Sequence, residues 1–173
     1  MGDRQRGIPY QHVSIIQHSV NVFHVDQKCR VDAEKGVLFK LCFKLRQGAA
    51  ADMLSQAEHD KLASAVLVTD SEALATAVRE ELEVQIPQLE RAEIARASID
   101  NNGKIIVAEN LMQGIEISNE IAPEHLELCV DNPFDYLDKV KHAGSIFMGR
   151  YCPEALGDYF AGPNHTLPTS GTA

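Results

Sequence analysis

From about residue 50 onward, short apolar runs alternate with longer stretches in which apolar residues recur every three or four positions. Ala65-Val66-Leu67-Val68-Thr69 is a compact, β-branched run, which reads as a buried strand. Asp70-Ser71-Glu72 supplies a helix start. Beyond it Leu74, Val78, Leu82 and Ile86 recur every four residues and give one helical face an apolar stripe. Asn101-Asn102-Gly103 reads as a turn, and Lys104–Ala108 as a second strand. A helix is predicted over about Leu111–Ile121, stopped by Pro123. His125–Val130 alternates polar and apolar and predicts a third strand. Asn132-Pro133 opens a further helix with Leu137 and Val140 turned inward, and Gly144–Gly149 forms a fourth strand. Strands alternating with helices predict an α/β fold with a largely parallel, Rossmann-like sheet.

The first 49 residues are less regular. Val13-Ser14-Ile15-Ile16 and Val37–Phe43 are compatible with strands, but neither a two-residue nor a 3.6-residue period is sustained between them. Charge divides the chain at the same place. Residues 1–49 hold eight Lys/Arg against four Asp/Glu, whereas residues 50–173 hold eight against 21. Two regions are therefore expected: an unassigned segment, 1–49, and an α/β domain, 50–173. The first is expected to pack poorly on the second, because its pattern was not shaped for this sheet.

Composition narrows the function classes. A net charge of −9 argues against nucleic acid as a partner. No run of about 18 apolar residues is present to cross a membrane, and the first residues have no apolar signal-peptide core, so a cytoplasmic location is expected. The four cysteines are scattered, with no C-x-x-C pair, as befits reduced thiols rather than a zinc ribbon. His12, His18 and His24 recur at six-residue intervals, which suits no metal site on a helix or strand.

Three polar clusters carry candidate chemistry. In Leu54–Asp60, Gln56 and His59 are three apart at the end of a helix begun by the alanine run, so they share a face and can reach one ion. A solvated helix end explains the same residues. In Ile121–Glu127, Glu124 and His125 stand at the mouth of a strand and offer two bases of different strength. An exposed acid beside a hydrogen-bonded histidine is the plainer account. The stretch Glu154–His165, running on into Pro168–Thr172, is rich in Gly, Pro and Asn and reads as a structured loop, with Asp158 and His165 suited to zinc or manganese. A simple turn would look the same. No G-x-G-x-x-G or Walker loop marks a nucleotide site.

Together these clusters resemble histidinol dehydrogenase, a zinc-dependent enzyme that oxidises histidinol with NAD. The strings are ADMLSQAEHD (51–60), EIAPEHLEL (120–128), HAGSIFMG (142–149) and PEALGDYFAGPNHTLPTSGTA (153–173). The resemblance implies that Gln56, His59 and Asp158 bind zinc, and that Glu124 and His125 do the acid–base work. It also implies substrate contacts from His165 and Tyr159. In the family, two successive hydride transfers carry L-histidinol through L-histidinal to L-histidine, and the enzyme is a homodimer. The family is longer than this chain and its NAD-binding part lies mainly upstream of S-Q-A-E-H, where residues 1–49 do not match. The NAD-contacting residues are therefore unknown, and the fold is expected to be a truncated version of the family's. A catalytically inactive fragment, or a zinc-binding or interaction module on the same scaffold, is the alternative expectation.

Overall fold

The computed structural model describes residues 21–24, 37–42 and 46–161. Its centre is a six-stranded sheet made of β1 (Asn21–His24), β2 (Val37–Cys42), β3 (Ser64–Thr69), β4 (Lys104–Val107), β5 (His125–Cys129) and β6 (Ser145–Met148). The strand order is β1-β4-β3-β2-β5-β6, and all five pairings are parallel. From β2 the chain steps one way through β3 to β4, then returns to place β5 on the other flank of β2. This reversal is the signature of a doubly wound sheet.

Helices cover both faces. On one lie α1 (Arg46–Ala57), α2 (Glu72–Gln85) and α3 (Ala92–Asn102), whose Met53, Leu54, Val78, Leu82, Ala95 and Ile99 pack on Ala65, Leu67, Ile105 and Cys129 of the strands. On the other lies α4 (Leu111–Ile121), whose Ile115, Ile117 and Ile121 pack on Val66, Val68, Ile106, Leu126 and Leu128. Every residue of β3 is buried. That is why β3 reads as a continuous apolar run: a parallel strand covered on both faces has no solvent side to mark.

Local signals place the helix ends. The Ser71 side chain accepts a hydrogen bond from the Leu74 amide at 3.2 Å, and Asn110 accepts one from Gln113 at 3.0 Å, so each caps its helix. Gly103 follows α3 closely: a Cβ there would sit 2.6 Å from the Ile99 carbonyl oxygen.

Several expectations change. The four-residue stripe ends at Ile86, where Pro87 converts Ile86–Gln88 to a 3-10 turn, and a separate helix that the pattern did not reveal, α3, begins at Ala92. The helix expected after Pro133 is a 3-10 run, Pro133–Lys139; Val140 packs on the core but Leu137 is exposed. The loop expected from Glu154 is helical through Ala161, first as α5 (Glu154–Leu156) and then as a π-helical turn, Gly157–Ala161. The segment expected to pack poorly contributes two strands, and one of them, β2, sits at the sheet's centre between β3 and β5. Val13–Ile16 lies outside the described residues.

Candidate functional site

Helix α4 ends at Ala122, which takes left-handed backbone angles (φ 52°, ψ 62°) and donates its amide to the Ser118 carbonyl at 2.9 Å. Pro123 follows, buried, and forbids any further helical turn. The chain is then stapled to the last strand: the Gly144 amide donates to the Pro123 carbonyl (3.0 Å) and the Ser145 amide to the Glu124 carbonyl (2.9 Å). Glu124 and His125 are thus fixed by backbone pairing where β5 begins. They stand at the amino edge of the sheet, not at the carboxyl edge, where doubly wound sheets usually hold ligands.

Strand alternation then decides what His125 meets. Cys129 belongs to the core beneath α1–α3, so Glu127 and His125, two and four residues earlier, face the same way. His125 is buried, as are Glu127 and Glu154. The imidazole has a carboxylate near each ring nitrogen: Glu124 Oε1 lies 3.7 Å from Nε2, and Glu154 Oε1 lies 3.9 Å from Nδ1. Both distances exceed a hydrogen bond but lie within ion-pair range. The Phe147 ring packs beside the imidazole, 6.0 Å between centroids. The Glu154 amide donates to Glu127 Oε1 at 2.9 Å, tying α5 to the strand that carries His125.

Glu127 and Glu154 did not stand out in the sequence. The alternation of His125-Leu126-Glu127-Leu128 suggests a polar face in water. In a parallel sheet with helices on both sides that face is interior, and a polar residue on it is a buried polar residue. The signal was the combination of an α/β pattern with carboxylates on a strand.

The other candidates are reached through α1. Because β2 and β3 are parallel neighbours, the helix joining them runs back across the sheet and ends at its amino edge. Gln56, in the last turn of α1, therefore lies at the same edge and on the same face as His125. It is buried, and its Oε1 has no hydrogen-bond partner among the described residues. An orphaned amide oxygen suits a hard or borderline cation, which accepts neutral oxygen donors. His59 differs from expectation: α1 stops at Ala57, so His59 sits in the turn beyond, exposed, with its amide on the Gln56 carbonyl at 3.3 Å. The shared helical face is not formed, although proximity in the turn is. Among the described residues no group of three or more His, Cys, Asp or Glu side chains is gathered for a metal. The backbone of Asp158 lies in the π-helical turn that continues α5, and Tyr159 beside it is exposed. His165 lies outside the described residues.

A parallel, doubly wound α/β chain with a buried histidine between carboxylates at one sheet edge has the makings of an acid–base enzyme. The comparisons with known proteins name the class. The family model described as histidinol dehydrogenase matches residues 45–173. The histidinol dehydrogenase of Syntrophotalea carbinolica is 60% identical over 124 residues, 72% of this chain and 29% of that protein. That of Bacillus subtilis is 59% identical over 124 residues with the same coverage. The crystal structure of histidinol dehydrogenase from Elizabethkingia anophelis superposes with a TM-score of 0.76 at 36% identity, covering 80% of this chain and 32% of that one. The chain belongs to the histidinol dehydrogenase family, and it spans under a third of the length of these relatives.

Proposed function

We propose that residues 50–173 carry the acid–base and metal-binding part of a zinc-dependent, NAD-linked oxidation of L-histidinol to L-histidine by way of L-histidinal. The observation that carries the reading is the buried His125 ring, with Glu124 near one nitrogen and Glu154 near the other. Within this reading His125 would take the substrate's hydroxyl proton in the first oxidation, for which NAD would supply the hydride acceptor. Glu124, the more exposed of the two carboxylates, takes a proton from the water that adds to the aldehyde. NAD would again supply the hydride acceptor for the second oxidation, that of the hydrate. A buried and a half-buried carboxylate beside a single imidazole suit such work, since the two steps need bases of different strength.

Gln56, His59 and Asp158 are the residues assigned to zinc; the orphaned Gln56 oxygen and the exposed His59 imidazole are consistent with that role. Held there, zinc would supply a fixed positive charge to orient the substrate. His165 and Tyr159 are assigned to the substrate. A homodimer in the cytoplasm completes the reading. Residues 1–49 stand outside it, save for the strands they lend to the sheet.

Titration calorimetry tests the assignment. The chain is expected to bind zinc, and His59→Ala and Gln56→Ala to weaken that binding at least about tenfold each, the loss usual when a zinc site is damaged. Histidinol is expected to bind the zinc-loaded chain and not the His59→Ala variant. Equal zinc affinity in all three chains would remove the metal site from the proposal.

A further inference from the structure

We propose that helix α3 clamps the turn that carries His59, with Arg91, Ser98 and Asn102 as positioning residues for that imidazole. The proposal rests on the reading of His59 as a zinc donor, and deepens it. Helix α1 ends at Ala57, so the helical register that would have set His59 beside Gln56 is lost before His59 is reached. A donor on a free turn binds a metal only at the cost of ordering its chain, so the turn itself must be held.

Three carbonyls of the turn are taken by α3. Arg91 Nη2 donates to the His59 carbonyl at 3.3 Å, Asn102 Nδ2 to the Lys61 carbonyl at 3.1 Å, and Ser98 Oγ to the Ala63 carbonyl at 2.9 Å. The acceptors are every second residue of the turn. The donors, together with the buried Ala95, fall at i, i+4, i+7 and i+11, which is one face of a helix whose N-cap is Arg91. Within the turn Asp60 does the complementary work. Its carboxylate accepts the Leu62 amide at 2.8 Å, and its carbonyl accepts the Ala63 amide at 3.0 Å. His59 is bonded on both sides of its own Cα, since its amide donates to the Gln56 carbonyl at 3.3 Å and its carbonyl accepts from Arg91. Its backbone is set, and rotation of the side chain is the freedom left to it.

Ser98 carries the most weight among the three. A serine inside a helix does little for the helix itself, because its hydroxyl competes with the backbone for hydrogen bonds. Ser98 is wholly buried, where a hydroxyl is costly unless bonded. Its partner lies 35 positions away, on the residue that leads directly into β3. The bonds of Arg91 and Asn102 are exposed, so water weakens them. Donors supported in this way from a neighbouring element are the ones that hold a metal site to its geometry.

The test titrates zinc chloride calorimetrically into the whole chain and into Ser98→Ala and Asn102→Leu, neither of which changes the charge near the metal. Ser98→Ala is expected to bind zinc about fivefold more weakly, the size of one hydrogen bond's net worth, and Asn102→Leu about twofold. Alanine is the better helix former, so α3 persists. The Ser98→Ala penalty is expected to vanish in a His59→Ala background, which a general loss of stability would not produce. Arg91→Met is expected to weaken binding, and Arg91→Lys, which keeps the charge and a donor, to retain most of it. A folded Ser98→Ala chain that binds zinc like the wild type, or a penalty undiminished without His59, overturns the proposal. Should Ser98→Ala not fold, Asn102→Leu and its combination with His59→Ala decide by the same criteria. Failure of the underlying reading would appear separately, as zinc affinity indifferent to His59→Ala. Amide hydrogen exchange at Leu62 and Ala63 then decides whether α3 holds the turn: about tenfold faster in Ser98→Ala, relative to Leu67 and Val68 of β3, if it does, and unchanged if it does not.

Discussion

Ala122 is the residue at which helix, proline and site meet. It is one of two non-glycine residues with positive φ among those described, and it leads directly into Pro123, Glu124 and His125. Left-handed backbone costs an L-residue with a Cβ roughly 1–2 kcal/mol, and the residue at this place after a helix is most often glycine. Conformations of this kind persist where surrounding structure over-determines them, frequently beside functional groups. Here the Ser118 carbonyl holds the Ala122 amide while β6 holds the next two carbonyls. Ala122→Gly is expected to raise stability by about 0.5 kcal/mol, the strain relief being partly offset by the extra freedom glycine has when unfolded. A denaturation midpoint that falls would show that the left-handed turn is unstrained. The sequence revealed the stop at Pro123 but not the handedness of Ala122, because a proline restricts its predecessor without choosing the left-handed region. Glu124 and His125 were legible through their string; Glu127 and Glu154 were not, since their meaning arises only when α5 folds back on β5.

Helix α4 shows what an element's sequence settles and what it leaves in tension. Its limits, Leu111–Ile121, agree with the periodicity and the breaker, since Asn110 caps it and Pro123 follows. Helix α3 was missed because the stripe read from the sequence ends at Ile86 and the residues between Pro87 and the Asn101 turn were left unassigned. The two are fastened where they meet in space: Arg96 on α3 forks onto both oxygens of Glu83 on α2, at 2.9 and 2.7 Å, and this pairing holds its guanidinium above the usual range. In α4 the charges oppose one another. Glu120 sits in the last turn, facing the negative end of the helix dipole, and Glu116 lies one turn before it. Partial burial, and then the Glu116 charge, push the Glu120 carboxyl above the usual glutamate range. The sign follows. A carboxyl that holds its proton more tightly when folded does not oppose folding below its unfolded value. It does so increasingly as pH rises through its folded value. Glu120→Gln is therefore expected to stabilise the chain at neutral pH, with the gain vanishing as pH falls through the carboxylate range. Denaturant midpoints at pH 7 and near pH 4 check it; an equal shift at both would mean that charge is not the cause.

At the scale of the whole molecule, the strand that orders everything else is the one the pattern described least. β2 pairs with β3 through Leu38↔Ala65 and with β5 through Leu38↔His125, so it spaces α1, and with it Gln56, from Glu124 and His125. Val37–Phe43 was compatible with a strand, but its neighbours in space are 27 and 87 positions away in sequence, so nothing local marked its central place. This geometry brings Glu124, His125 and Gln56 to one edge, but the proposed oxidation asks for more. Hydride transfer requires a nicotinamide held at near-attack distance from the alcohol carbon, and such positioning is worth several orders of magnitude in rate. The matched 124 residues are 29% of the histidinol dehydrogenase of Syntrophotalea carbinolica. The 173-residue polypeptide, purified and supplied with histidinol, NAD and zinc, is accordingly expected to form NADH at no more than the background rate, even where zinc and histidinol bind. Absorbance of NADH is the readout, and His125→Ala the control. A rate well above background that disappears in His125→Ala would falsify this expectation, and would place a working cofactor site within these residues, beside strands β1 and β2 that the first 49 supply.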